Sequence, residues 1–147
     1  MYRKQTATQH ISHCKITLFI SIFSHSRNIF VVITPKFDSP KNCPSYDEIY
    51  GSLKGTKFYG KCPDLLIDGR WFEHEGFVTN NQKRAWNNML KHGSLQAKNL
   101  ILEKPDLNGT WLQRSLFSHI SNGLDIEELW LKKEDTLTLF YKKKIES

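Results

Sequence analysis

Three carboxylates on one short ribbon carry the strongest chemical signal in this chain. They lie in Cys62-Pro63-Asp64-Leu65-Leu66-Ile67-Asp68-Gly69-Arg70-Trp71-Phe72-Glu73-His74-Glu75-Gly76-Phe77. Asp68-Gly69 between two strand-like runs is a strong two-residue hairpin signal. If those two residues make the turn, Leu66 faces Trp71 and Asp64 faces Glu73. Alternation then sets Asp64, Leu66, Trp71, Glu73 and Glu75 on one side, and Leu65, Ile67, Phe72 and His74 on the other. Directly opposed Cβ atoms lie about 4.5–5.5 Å apart, so Asp64 and Glu73 repel unless a positive charge stands between them. Mg2+ and its relative Mn2+ take one or two carboxylates together with waters and substrate phosphate. Such an ion polarises a phosphoryl oxygen and lowers the pKa of an attacking water. Acids that simply face solvent on a half-exposed hairpin alternate in the same way, and spacing alone leaves both readings open.

Other residues invite weaker readings. Lys83, Arg84, Lys91 and His92 fall on one expected helix, where they would serve phosphates or form a solvated basic face. Lys54, Lys57 and Lys61 with Phe58 and Tyr59 make a basic-aromatic loop suited to single-stranded RNA, or to ordinary packing with surface lysines. His74 lies on the face opposite Glu73 and reads as a packing or surface histidine. Cys14, Cys43 and Cys62 are far apart with no CxxC spacing, which argues against a disulfide framework and for a reducing, cytoplasmic setting. No GxGxxG, P-loop, HExxH or GxSxG pattern occurs.

The elements that must position these groups follow from periodicity. Ile29 to Thr34 is a β-branched and aromatic run closed by Pro35, a buried strand. Ser45 caps a short helix, Tyr46 to Leu53, with Glu48 completing a capping box. After the hairpin, Thr79 or Asn80 caps a helix from about Gln82 to His92, whose apolar stripe is Ala85, Trp86, Met89 and Leu90. Asn99 to Glu103 is a strand and Thr110 to Ser121 a helix stopped by Asn122-Gly123. Ile126 to Leu131 and Thr136 to Tyr141 form a closing hairpin. The expected fold is therefore mixed α/β (α+β), a mixed central sheet with flanking helices.

Length and charge bound the rest. A chain of 147 residues suits one domain. No apolar run reaches the roughly 20 residues of a membrane span. Of the 21 Lys and Arg, five fall in residues 1–37 with no acid, so residues 38–147 hold 16 against 15 Asp and Glu. Bulk charge thus carries no claim about polyanions. Residues 1–28 are acid-free and weakly patterned. They read as a loosely ordered or spurious extension before a single domain at 29–147.

Pro63-Asp64, a hairpin, Glu73-x-Glu75, a helix and the strand Asn99 to Glu103 together resemble the PD-(D/E)xK nuclease core. More closely, "PDLLIDG…FE" followed by a glutamine-bearing helical segment and a strand resembles the C-terminal tRNA-nuclease domain of contact-dependent inhibition (CdiA-type) toxins. The similarity covers about Pro63 to Tyr141 through short motifs. It implies a restriction-endonuclease-like core and metal-dependent hydrolysis of nucleic acid, most simply tRNA-type RNA, by a toxin or mobile-element nuclease with a neutralising immunity protein. Asp64 and Glu73 would then ligate Mg2+ or Mn2+, and Gln96 would match the glutamine beside the site. The family's motif lysine falls at Glu75, which cannot donate positive charge; Lys83, Arg84 or Lys98 would have to replace it. Lys57, Lys61, Lys83, Arg84 and Lys98 are the expected nucleic-acid contacts. The alternative is a non-catalytic nucleic-acid or protein-binding module that keeps the fold without the lysine.

Overall fold

The structure, a computed structural model, describes residues 7–11, 14–20, 31–76, 82–103 and 109–144, with backbone alone for 7–11, 14–20, Lys41 and Gln82. The chain is mixed α+β and divides into two compact units, Met1–Trp71 and Phe72–Ser147.

Unit 1 is an antiparallel meander with an irregular, ring-rich core. Strands β1 (Ala7–Ile11) and β2 (Cys14–Ile20) pair from Ala7↔Leu18 to Ile11↔Cys14, so part of the segment expected as an extension lies in strands. β2 pairs β3 (Val31–Ile33) at Phe19↔Ile33 and Ile20↔Val32. β3 in turn pairs β4 (Leu65–Ile67) from Val31↔Ile67 to Ile33↔Leu65. The Thr34 N–H donates to the Asp64 carbonyl at 2.9 Å and carries this ladder one step further. The expected strand was Ile29 to Thr34; Ile29 and Phe30 lie outside the described residues. Helix α1 (Tyr46–Tyr50) runs into a 3-10 turn, Gly51–Leu53, matching the expected span.

The capping box does not form. Ser45 makes no side-chain cap and its backbone is already helical, with φ −74° and ψ −8°. Tyr46 N–H instead donates to the Cys43 carbonyl at 3.0 Å, so a preceding backbone turn starts the helix. The cysteine expectation also fails: Cys43 is disulfide-bonded, and Cys62 is a buried thiol. Spacing along a chain does not report the spatial separation that decides disulfide formation.

Asp68 and Gly69 both have positive φ, 47° and 76°, as a type I′ turn requires at its two central residues. Strand β5 (Arg70–Gly76) follows and leads into unit 2. There β5, β6 (Asn99–Glu103) and β7 (Glu128–Lys133) are parallel, and β8 (Thr136–Lys142) returns antiparallel to β7 with a bulge at Leu129/Trp130. Parallel neighbours need crossover connections, here α2 (Gln82–Gly93) and α3 (Gly109–Ser121). The expected cap at Thr79 or Asn80 lies outside the described residues. The stripe Ala85, Trp86, Met89 and Leu90 is buried as its period requires, against Leu100, Leu102, Leu112, Leu116, Leu129 and Leu131.

Candidate functional site

Asp64 belongs to unit 1, whereas Glu73, Glu75 and Gln96 belong to unit 2. Each is described within its own unit.

Around Asp64 the chain is fastened to the segment after β3. Thr34 hydroxyl donates to the Pro63 carbonyl. Lys36 ammonium donates to the Cys62 carbonyl and stands 2.9 Å from Asp64 Oδ1. The Asp64 side chain keeps 28% of its surface, so the pair is neither dry nor freely solvated. Tyr50 hydroxyl donates to the Pro35 carbonyl at 2.6 Å and lies 3.3 Å from that of Pro63. Burial holds the Tyr50 phenol well above its ordinary value, against the opposing hydrogen bond to Thr34. Lys36 was not among the expected site residues. Extending the β3–β4 register three steps past Ile33↔Leu65 brings Lys36 opposite Cys62, two residues from the motif aspartate. That pairing is the signal that finds it.

In unit 2 the alternation expected for β5 holds. Glu73 is in register with Leu100, and Glu75 with Leu102, so both acids share the face that carries the leucine core and the helices. Glu73 is 7% exposed. Glu75 is half-buried, and a Cβ on Gly93 would come 3.2 Å from its Cγ and 2.9 Å from Leu100 Cδ2. The end of α2 therefore approaches β5 and β6 as closely as glycine allows. Gln96 is half-buried in the turn after α2, its N–H donating to the Gly93 carbonyl at 2.9 Å.

The opposite face of β5 holds His74. Its Nε2 lies 2.8 Å from Glu103 Oε2, and Lys132 Nζ donates to Glu103 Oε1 at 2.6 Å. The hydrogen bond from Lys132 holds the Glu103 carboxyl below its ordinary range. His74 is thus an ion-network histidine, a role the hairpin pattern did not reveal.

The expected basic contacts divide. Phe58 is buried. Tyr59 is half-buried, and its hydroxyl donates to Asp47 Oδ1 at 2.8 Å, so of the aromatic pair in the 54–61 loop Phe58 is committed to the packing of unit 1. Lys57 remains exposed, 5.1 Å from the Phe58 ring centroid, and the Lys61 carbonyl accepts the Tyr46 hydroxyl at 2.6 Å. Lys98 is held by Glu127 at 2.9 Å and Asp125 at 3.6 Å, and the Glu127 hydrogen bond raises its pKa. Lys83 and Arg84 are exposed on α2, with Lys83 Nζ 5.8 Å from the Trp111 ring centroid. Trp111 was missed because one exposed aromatic on a helix has no periodic signature.

Among the described residues no group of three His, Cys, Asp or Glu side chains is placed to hold a metal, and no helix is long and apolar enough to cross a membrane. No protein family, no curated protein and no solved structure matches the chain.

Proposed function

We propose that the chain is a metal-dependent nuclease, built on a restriction-endonuclease-like core, that hydrolyses phosphodiester bonds in RNA of the tRNA type. The observation that carries this reading is the burial of Glu73. An acid that merely decorates a solvent-facing strand does not turn toward a leucine core, as Glu73 does. The succession of the Pro63-Asp64 segment, type I′ turn, β5, α2 and β6 agrees with the motif order.

By the motif resemblance Asp64 and Glu73 would be the hard oxygen donors that Mg2+ or Mn2+ takes. The ion, when bound, supplies polarisation of the phosphoryl oxygen and a water of lowered pKa. Lys36 balances Asp64 within unit 1 and is the cation proposed for the motif's missing lysine. Lys98 is engaged by Asp125 and Glu127 and does not serve. A toxin or mobile-element role, with an immunity protein as partner, rests on the resemblance alone.

The test is cleavage of tRNA, single-stranded DNA and duplex DNA with Mg2+, Mn2+ or EDTA, read beside thermal unfolding at millimolar ion. Wild type should cleave RNA and gain melting temperature with the divalent ion, since a ligand of the native state stabilises it by mass action. Asp64→Asn and Glu73→Gln should abolish both effects, and Lys36→Gln should cut cleavage while changing stability by about 1 kcal/mol or less. A wild type with neither cleavage nor an ion-dependent shift overturns the reading. The second reading, a binding module on the same fold, then takes its place. Glu75 at the lysine position favours it.

A further inference from the structure

The helical layer of unit 2 has one sign of charge. α2 and α3 together carry Lys83, Arg84, Lys91 and Arg114, with His92 and His119, and neither helix contains an acid. The acids of the unit lie on the strands and their connections. Lys98, Lys132, Lys133, Lys142 and Lys143 lie there too, so what sets the two helices apart is that their charge is unmixed.

An indole stands in this basic surface. Trp111, in the first turn of α3, is 37% exposed. Lys83 Nζ from α2 lies 5.8 Å from its centroid, and Arg114 Cζ, one turn further along α3, lies 5.6 Å away. Phe117 on the same helix is 53% exposed. His119 Nε2 and Asn87 Oδ1 meet at 3.2 Å between the two helices, so Lys83 and Trp111 are brought together by a packed helix pair.

Trp111 is not one of the buried residues of α3, which are Leu112, Ser115 and Leu116, and it keeps 37% of its surface exposed. A ring flanked by two cations meets the needs of a nucleotide, whose base stacks while its phosphates are neutralised. Both cations sit near the roughly 6 Å outer limit of a cation–π contact, and exposed contacts of that kind are weaker than stacking of a base on an aromatic ring. A base can therefore displace one cation onto the adjoining phosphate. A duplex keeps its base faces inside its own stack, whereas a single strand offers them. An acidic peptide would use the cations but leave the indole without a role.

We propose that the α2–α3 surface around Trp111 docks single-stranded RNA, with a base on Trp111 and phosphates on Lys83 and Arg114. The choice of RNA rests on the nuclease reading; the stacking site does not require cleavage.

The experiment measures binding of a fluorescent oligouridylate by anisotropy in EDTA, across a salt series. Wild type, Trp111→Ala, Trp111→Phe and the Lys83→Gln/Arg114→Gln double variant are compared, with circular dichroism checking the fold. Trp111→Ala should weaken binding about tenfold, and Trp111→Phe should keep most of the affinity. The double variant should lower the slope of log affinity against log salt by roughly 0.7 per cation removed. Equal binding of the matching RNA duplex, of inorganic polyphosphate or of polyglutamate overturns the proposal, as does wild-type affinity in a folded Trp111→Ala. If Trp111→Ala does not fold, an unchanged salt slope in the double variant overturns it by itself. Cleavage with Trp111-independent binding sinks the docking surface and leaves the nuclease. Trp111-dependent binding without cleavage in Mg2+ or Mn2+ does the reverse.

Discussion

The two units reach a packed core by different chemistry. Unit 1 gathers Phe37, Tyr46, Tyr50, Leu53 and Phe58 around Cys43 and Cys62. Tyr46 stacks on Tyr50 at 4.9 Å, and Phe37 meets both edge-on at 6.0 and 6.1 Å. Unit 2 gathers leucines, Ile126, Ala85, Met89 and Trp86 in its main cluster, from helices and sheet. The rings of unit 1 bring hydroxyl groups with them. Much of its backbone is irregular, and buried carbonyls outside regular ladders still need donors. Tyr46 supplies one to Lys61 and Tyr50 one to Pro35. In unit 2 regular ladders and helices carry most of the backbone and the main cluster is hydrocarbon, with Glu73, Ser94, Asn99, Ser115 and Glu128 buried outside it. Amphipathic rings are thus the means by which a loop-rich unit stays packed without long elements.

The largest effect should come from the hydrocarbon core. Trp86 is fully buried on α2, and Trp86→Ala should cost about 3–5 kcal/mol through lost transfer energy and the cavity left behind. Denaturant unfolding followed by hydrogen exchange should place that loss in residues beyond 72. A loss spread equally over both units would break the comparison. Reduction comes next. All three cysteines precede residue 72, so a reductant should destabilise unit 1 alone, by about 2–4 kcal/mol on the usual scale for a disulfide. Protection in unit 2 that falls equally on adding reductant would contradict this.

How much could be read beforehand follows the same division. The stripe Ala85–Trp86–Met89–Leu90 and the strand Asn99–Glu103 have strong periods, and both appear where expected. Asp68-Gly69 was legible because few residues accept positive φ twice in succession. Unit 1 was harder to read, since its Tyr–Phe cluster joins residues 37 to 62 through loops that have no period. Ser45 misled because a backbone turn from Cys43 had already started the helix. Among the site residues, the faces of Glu73 and His74 followed from alternation. Lys36 beside Asp64, and Trp111 beneath Lys83, depend on pairings between distant segments and were not visible in local spacing.

Tyr50→Phe probes the polar side of the contrast at lower cost. The phenol's bonds to two loop carbonyls disappear while the ring stays, and a loss of about 1–2 kcal/mol is expected for buried partners left unsatisfied. The pH dependence has a definite sign. Burial raises the folded pKa above the ordinary 10.0, so the protonated phenol is favoured in the fold. This contribution is complete below that value and is lost as pH rises beyond it, because the unfolded chain ionises first. Wild type should lose stability above pH 10 more steeply than Tyr50→Phe. Parallel alkaline curves for the two proteins would show that Tyr50 is not the buried anchor of unit 1.

The smallest effect should fall on the ion network of unit 2, where the hydrocarbon core leaves little for charges to do. Glu103 accepts from Lys132 and meets His74, yet each of the three side chains keeps 37% of its surface. Solvent screens such pairs, so Glu103→Gln should cost about 1 kcal/mol or less. Its pH signature is the mirror image of that of Tyr50. The Lys132 hydrogen bond lowers the folded pKa of Glu103 below the ordinary 4.5, so the network contributes fully above that value and fades as pH falls through the folded pKa. Wild type and Glu103→Gln should therefore differ most near neutrality and converge in acid. Added salt should shrink the difference at pH 7, as it does for exposed ion pairs. A difference well above the surface-pair scale, indifferent to salt, would mean that the network is a structural member of unit 2. The division between a ring-and-hydroxyl unit and a hydrocarbon unit would then no longer describe the molecule.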